Sequence, residues 1–230
     1  MNAIGLPLLR ASHARAVRRR LGLALALLLL LGAPPLLGWW EASLVRHMLL
    51  QIPLLLLAGA LVGPLLAPER PSGPGWQQLE GMAAVLAGLF CFAFWMLPRW
   101  LDAAVVDPWV DLGKMLSLPI LGGLPLGWGW RRLRMVARGF VWAHVVAMFA
   151  VLGTHYLAWP ERLCNNYLAG EQVALGHASL AVAALLGLGG ALPALFGGPD
   201  AGNSEGMAAS RHRFGLAEVV PQGKRWFSRR

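Results

Sequence analysis

The sequence predicts an all-α protein, a polytopic membrane bundle of about six helices. Three observations lead there. The 230 residues are 57% hydrophobic and 13% charged, where an ordinary soluble domain is about a quarter charged. Apolar runs recur at the ~20-residue length that spans ~30 Å of hydrocarbon. The basic residues gather in the tails and in one loop beside those runs, the pattern that sets membrane topology. A net charge of +9 would point to nucleic acid in a soluble chain, but in this distribution it argues against that partner.

The expected spans lie at about 21–40, 44–66, 79–98, 110–130, 138–158 and 172–197. Arg18, Arg19 and Arg20 precede the first, which resembles a secretory signal. The apolar stretch runs on to Trp40 without an A-x-A site, so an uncleaved span is expected. Pro34-Pro35 should kink or interrupt it, because proline removes a backbone donor. Pro119, Pro125 and the surrounding glycines make the fourth span irregular. Small residues from Ala181 to Gly190 suit close packing of the sixth against a neighbour.

Charge orients the helices. The N-tail, the loop 131–138 and the C-tail are basic and fall on one side if there are six spans, which places both termini in the cytoplasm. The organisation is then a basic cytoplasmic N-tail over 1–20, a six-helix membrane domain over 21–197 and a flexible basic cytoplasmic C-tail over 198–230. Cys91 falls within a span and Cys164 in an outer loop, so a disulfide between them is not expected. The Asn and Gly residues around Cys164 favour a turn.

Polar side chains are expensive in a bilayer and mark functional candidates. In the six-span arrangement several sit near the outer ends of five helices: His47, Met48 and Gln51; Trp95, Met96 and Pro98; Lys114 and Met115; His155 and Tyr156; Glu171, Gln172 and His177. His144 lies deeper. Thioether and imidazole together suit copper, especially Cu(I). His47 and Met48 point about 100° apart on a helix, whereas Gln51 shares the face of His47. Lys114 has Asp102, Asp107, Asp111 and Glu171 as candidate ion partners, with Asp111 on its own helix face. Walker, dinucleotide, zincin, nucleophile-elbow and c-type haem motifs are absent, so a familiar soluble enzyme class is not expected.

Four short blocks in order, H-M-L-L-Q (47–51), F-W-M-L-P-R-W-L-D-A-A (94–104), K-M-L-S-L (114–118) and Y-L-A-G-E-Q (167–172), resemble the CtaG-like cytochrome c oxidase assembly proteins. The resemblance covers roughly residues 45 to 195. That family is multi-spanning and is implicated in supplying copper to, or assembling, haem-copper oxidases. His47 and Met48 match its H-M-x-x-H opening, with Gln51 in place of the second His. Met96 and Met115 stand where its pattern has His. Such replacements imply either a softer, Cu(I)-preferring site or a relative that has lost its metal.

The resemblance implies a non-enzymatic assembly factor in a bacterial inner membrane, with an oxidase subunit or a copper-carrying protein as partner besides the lipid bilayer. Copper would be held through His47, Met96 and Met115, with Met48, His155 and His177 as auxiliary ligands. The rivals are a metal-free scaffold for an oxidase subunit, a haem-b membrane anchor with axial His pairs, and a small transporter. The last is disfavoured by span interiors nearly devoid of charge.

Overall fold

The computed structural model describes residues 5–66, 73–159, 161, 164 and 166–196. All regular structure among them is helical. The C-tail from 198 and most of the loop before Pro74 lie outside the described residues. The chain divides into two compact units, 1–187 and 188–230. In the second, the described part is the end of the last helix, to Phe196.

The chain opens with α1 (Gly5–Gly32), which takes in most of the expected basic tail as helix, and α2 (Pro34–Glu41). The two are bent by 71° at Ala33. Ala33 is extended (φ −65°, ψ 127°), as a residue preceding proline prefers. Pro34 and Pro35 lack the N–H groups that would bond the carbonyls of Leu30 and Leu31 four residues back. Those two acceptors are taken instead by the Trp40 indole, at 3.2 Å from the Leu30 oxygen, and by the Gln51 amide, at 3.4 Å from that of Leu31. Both caps turn α2 and the next helix back against the broken end.

That next rod, Leu44–Leu65, is not uniform. It comprises α3 (Leu44–Arg46), a π turn (His47–Gln51), α4 (Ile52–Val62) and a 3₁₀ turn (Gly63–Leu65). After it come α5 (Pro74–Trp95), α6 (Pro98–Val106) and α7 (Pro108–Ser117). A second π turn (Leu118–Gly123) carries α7 into α8 (Leu124–Trp130), and α9 (Met135–Ala158) and α10 (Ala169–Phe196) complete the order. Asp107 caps α7 by accepting from the Trp109 backbone N–H at 2.8 Å. The short α6 fills a stretch expected to be a plain loop.

Among the described residues, four helices are long and apolar enough to cross a membrane: Leu44–Leu65, Gly75–Trp95, Met135–Ala158 and Ala169–Ala191. The bent α1–α2 pair makes a fifth if it counts as one span. The expected fourth span, 110–130, is helical throughout as α7, the π turn and α8, but does not join that set. Its glycines and prolines lower its hydropathy while they allow close approach. The rod packs against α4 on one side and α5 on the other. A Cβ on Gly59 would overlap the backbone of Pro119, and one on Gly123 or Gly127 would overlap that of Leu56 or Ala60. Two helices meeting backbone to backbone in this way are held by dispersion over small residues. In α10 the tight contact is made at Gly176, where a Cβ would meet the Leu157 side chain and then the Gly153 carbonyl of α9. Within the expected stretch, Gly187 makes only an ordinary contact with Val146.

Candidate functional site

The most polar buried point of the protein is Lys114. Its side chain has no solvent exposure, and neither do His47 or Gln51. The α7 helix brings Lys114 in. The π turn supplies His47 and Gln51, since a widened turn changes which side chains share a face. Glu41 arrives at the end of α2, by way of the 71° bend.

Four acceptors surround the one ammonium. Lys114 Nζ donates to Glu41 Oε1 at 2.7 Å, to His47 Nε2 at 3.0 Å and to Gln51 Oε1 at 3.5 Å. Asp111 Oδ1, one helical turn back, stands 2.7 Å from the same nitrogen. An ammonium has three protons. The two carboxylates are its nearest neighbours, and the Gln51 oxygen at 3.5 Å is the farthest.

The tautomer of His47 follows from its neighbours. Nε2 accepts from Lys114, so Nδ1 carries the hydrogen and donates to the Tyr167 hydroxyl at 2.9 Å. Tyr167 in turn donates to the backbone carbonyl of Glu41 at 2.8 Å. Burial, with Glu41 nearby, holds the Tyr167 phenol protonated well above the ordinary range. The result is a closed ring of donors and acceptors joining α2, the π turn, α7 and the segment before α10.

Neighbouring bonds lock the frame. Glu171 Oε2 accepts from Ser43 Oγ at 2.8 Å and from the Leu44 N–H at 3.0 Å, so a carboxylate from α10 caps the start of α3, where helix dipole and free N–H groups favour negative charge. The Gln172 amide lies 3.2 to 3.4 Å from the carbonyls of Tyr156, Trp159 and Glu161. It thereby secures the C-terminal end of α9. Trp95 donates to Ser117 Oγ at 2.8 Å and ties α5 to α7. The Arg46 guanidinium lies over the Trp39 ring, 4.3 Å from its centre.

The expected copper ligands have different surroundings. His47 has both ring nitrogens engaged, one of them with an ammonium. Met48 and Met96 are buried in the same apolar core. Met48 Sδ accepts from the Tyr156 hydroxyl at 3.6 Å. Met115 packs on the edge of that core with its methyl over Gly32, where a Cβ would come within 2.9 Å. His155 is exposed against the Trp159 ring, and His177 is exposed with Nδ1 on its own Val173 carbonyl at 3.0 Å. Among the described residues no three His, Cys, Asp or Glu side chains are placed to hold a metal ion directly. As the side chains stand, His47 is engaged by Lys114 and Tyr167, Met48 and Met96 are buried, and His155 and His177 are exposed.

Glu41 is the member that sequence reasoning missed. It sat in a five-residue outer loop, and only the double proline hinted that the chain turns back. Asp111 was among the partners considered for Lys114, and that pairing is observed.

Comparison of the chain with protein-family models, with curated proteins and with solved structures gives no match.

Proposed function

We propose that the chain is a six-span protein of a bacterial inner membrane, with both termini cytoplasmic, that helps assemble a haem-copper respiratory oxidase as a membrane-embedded scaffold for one of its subunits. One observation carries this reading. The four blocks that resemble the CtaG-like assembly proteins are far apart in sequence, yet they contact one another: His47 and Gln51 touch Lys114, Tyr167 touches His47, and Trp95 touches Ser117. Blocks that carry a resemblance and also build one centre support a shared architecture. The scaffold is preferred to copper delivery through His47 because an ammonium occupies that imidazole.

The test is affinity purification of the tagged protein from its native membrane, with a deletion strain alongside. Enrichment of an oxidase subunit and a fall in assembled oxidase in the deletion strain are expected. An unenriched subunit with normal oxidase content would refute the reading. Reporter fusions near residues 70 and 133 and at the C-terminus should be cytoplasmic, and fusions near 104 and 164 external.

A second reading keeps copper but moves it to sulfur. Met48 Sδ and Cys164 Sγ each lie 3.6 Å from the Tyr156 hydroxyl, and thiolate with thioether suits Cu(I). Copper in the purified protein that disappears in both Met48→Leu and Cys164→Ser would favour it over the scaffold.

A further inference from the structure

Arg131, Arg132, Arg134 and Arg138 crowd the turn between α8 and α9. Leu133 is buried beneath it, and the Arg132 N–H donates to the Gly129 carbonyl at 2.9 Å. Two of the guanidiniums are held in place. That of Arg132 lies over the Trp128 ring, 3.7 Å from its centre. That of Arg138 donates through Nε to the Trp130 carbonyl at 3.2 Å. A guanidinium carries five N–H groups in a planar fork, so the two terminal nitrogens of Arg138 are left out of that bond. Arg134 stands one turn earlier, its carbonyl accepting from the Arg138 N–H at 3.0 Å, and its side chain is exposed. Among the described residues neither Arg134 nor Arg138 forms an ion pair. Trp142, one turn further along α9, donates its indole N–H to the Leu186 carbonyl of α10 at 3.0 Å. The same end of α9 exposes the apolar side chains of Met135, Val136 and Phe140.

Because α9 is long and apolar enough to cross a membrane, this turn belongs at a membrane–water boundary. It is positively charged and its flank is apolar, the complement of an amphiphile with an anionic head. A planar fork takes phosphate oxygens two at a time, where a lysine would act as a point charge. Holding the Arg138 fork in advance removes an ordering cost from binding. We propose that the α8–α9 turn is a binding site for an anionic phospholipid, whose phosphate is taken by Arg134 and Arg138 while its acyl chains lie along the apolar side chains at the start of α9. Arg131 and Arg132 strengthen the attracting field. A nucleic acid or a free phosphate would meet the same charge but would leave Met135, Val136 and Phe140 uncovered. The proposal does not depend on the scaffold reading; it needs only that α9 lies in the membrane.

The test uses the full chain, delipidated in detergent and titrated with phosphatidylglycerol or with phosphatidylcholine of the same acyl chains, followed by native mass spectrometry. Native protein is expected to prefer phosphatidylglycerol. An arginine at an anionic headgroup contributes about fivefold in affinity. Arg134→Gln/Arg138→Gln is therefore expected to weaken phosphatidylglycerol binding by about 25-fold and to leave phosphatidylcholine binding unchanged. Arg134→Gln alone, at an exposed position, is expected to lose about fivefold, and it decides the matter if the double variant does not fold. Arg18→Gln/Arg19→Gln removes the same charge from α1 and is expected to change neither lipid. Equal binding of the two lipids by native protein, an unchanged Arg134→Gln, an equal loss in the α1 variant, or displacement of phosphatidylglycerol by equimolar inorganic phosphate or RNA would each overturn the proposal.

Discussion

Lys114 and Glu41, 73 residues apart in the chain, meet at 2.7 Å in the interior of the bundle. Their pairing closes α2 onto α7 and fixes the end of a helix that the double proline has already broken. Removing one partner of a buried ion pair strands the other, which costs about 3–5 kcal/mol. Glu41 and Asp111 retain some exposure, so Lys114→Met should lose about 3 kcal/mol, the low end of that range. Equilibrium unfolding in mixed micelles measures it. Adding Glu41→Gln and Asp111→Asn to Lys114→Met should recover part of the loss, and a triple variant weaker than the single one would contradict the pairing.

The broken end of α1 makes its own prediction. The Leu30 and Leu31 carbonyls depend on Trp40 and Gln51 because Pro34 and Pro35 have no N–H to offer. Leaving a buried acceptor unsatisfied costs about 1–3 kcal/mol. Trp40→Phe and Gln51→Leu should each destabilise by about that amount. Gln51→Leu should be the worse of the two, because it also takes an acceptor from Lys114. The same unfolding measurement ranks them, and a Gln51→Leu variant as stable as the parent would rule out the capping role.

Much of this architecture is readable from residue order. The apolar runs, the break at Pro34-Pro35 and the pairing of Lys114 with Asp111 follow from hydropathy, backbone chemistry and helical spacing. The π turns at His47–Gln51 and Leu118–Gly123 do not. A five-residue turn differs from a four-residue one by a hydrogen-bond shift that composition does not encode. Glu41 was hidden for a related reason. Its position depends on the size of a bend, which proline allows but packing sets. The copper expectation rested on donor softness, shared depth and the family resemblance, and depth says nothing about azimuth. His155 and His177 point outward while Met48 and Met96 point in.

Close approach of the central helices should be intolerant of even one added carbon branch. A side chain on Gly59 meets the backbone of Pro119, which cannot rotate away. Gly59→Val should therefore cost more than the ~1–3 kcal/mol typical of overpacking and sharply reduce folded yield on size exclusion. Gly38→Ala, where a Cβ meets nothing within 4 Å, should leave yield unchanged. Equal yields for the two variants would mean that the helices do not approach as described.

Cys164 offers a pH-dependent signal outside the membrane-spanning helices. Burial raises its thiol to about 11, against a lowering influence from the Tyr156 hydroxyl and a raising one from Asp102. The folded state thus holds the proton more tightly than the unfolded state, whose thiol has a value of 9.0. The stability this contributes is fully present below pH 9 and is lost as pH rises toward 11. In a Cys91→Ser background, maleimide labelling of native protein should be slow at pH 7.5 and accelerate steeply above pH 9, with the melting temperature falling over the same window. Rapid labelling at pH 7.5 would show an accessible thiolate instead.

The two proline-orphaned carbonyls have a consequence for biogenesis. Their substitutes, at positions 40 and 51, emerge from the ribosome soon after the break itself, so the opening hairpin is able to seal its own backbone while the remainder is still being synthesised. Lys114 is made much later, and until it is inserted the Glu41 carboxylate lacks the ammonium that pairs with it. Insertion of the α7 segment is then the event that neutralises the early hairpin, and a chain truncated before it should be held by the insertion machinery or degraded rather than accumulate.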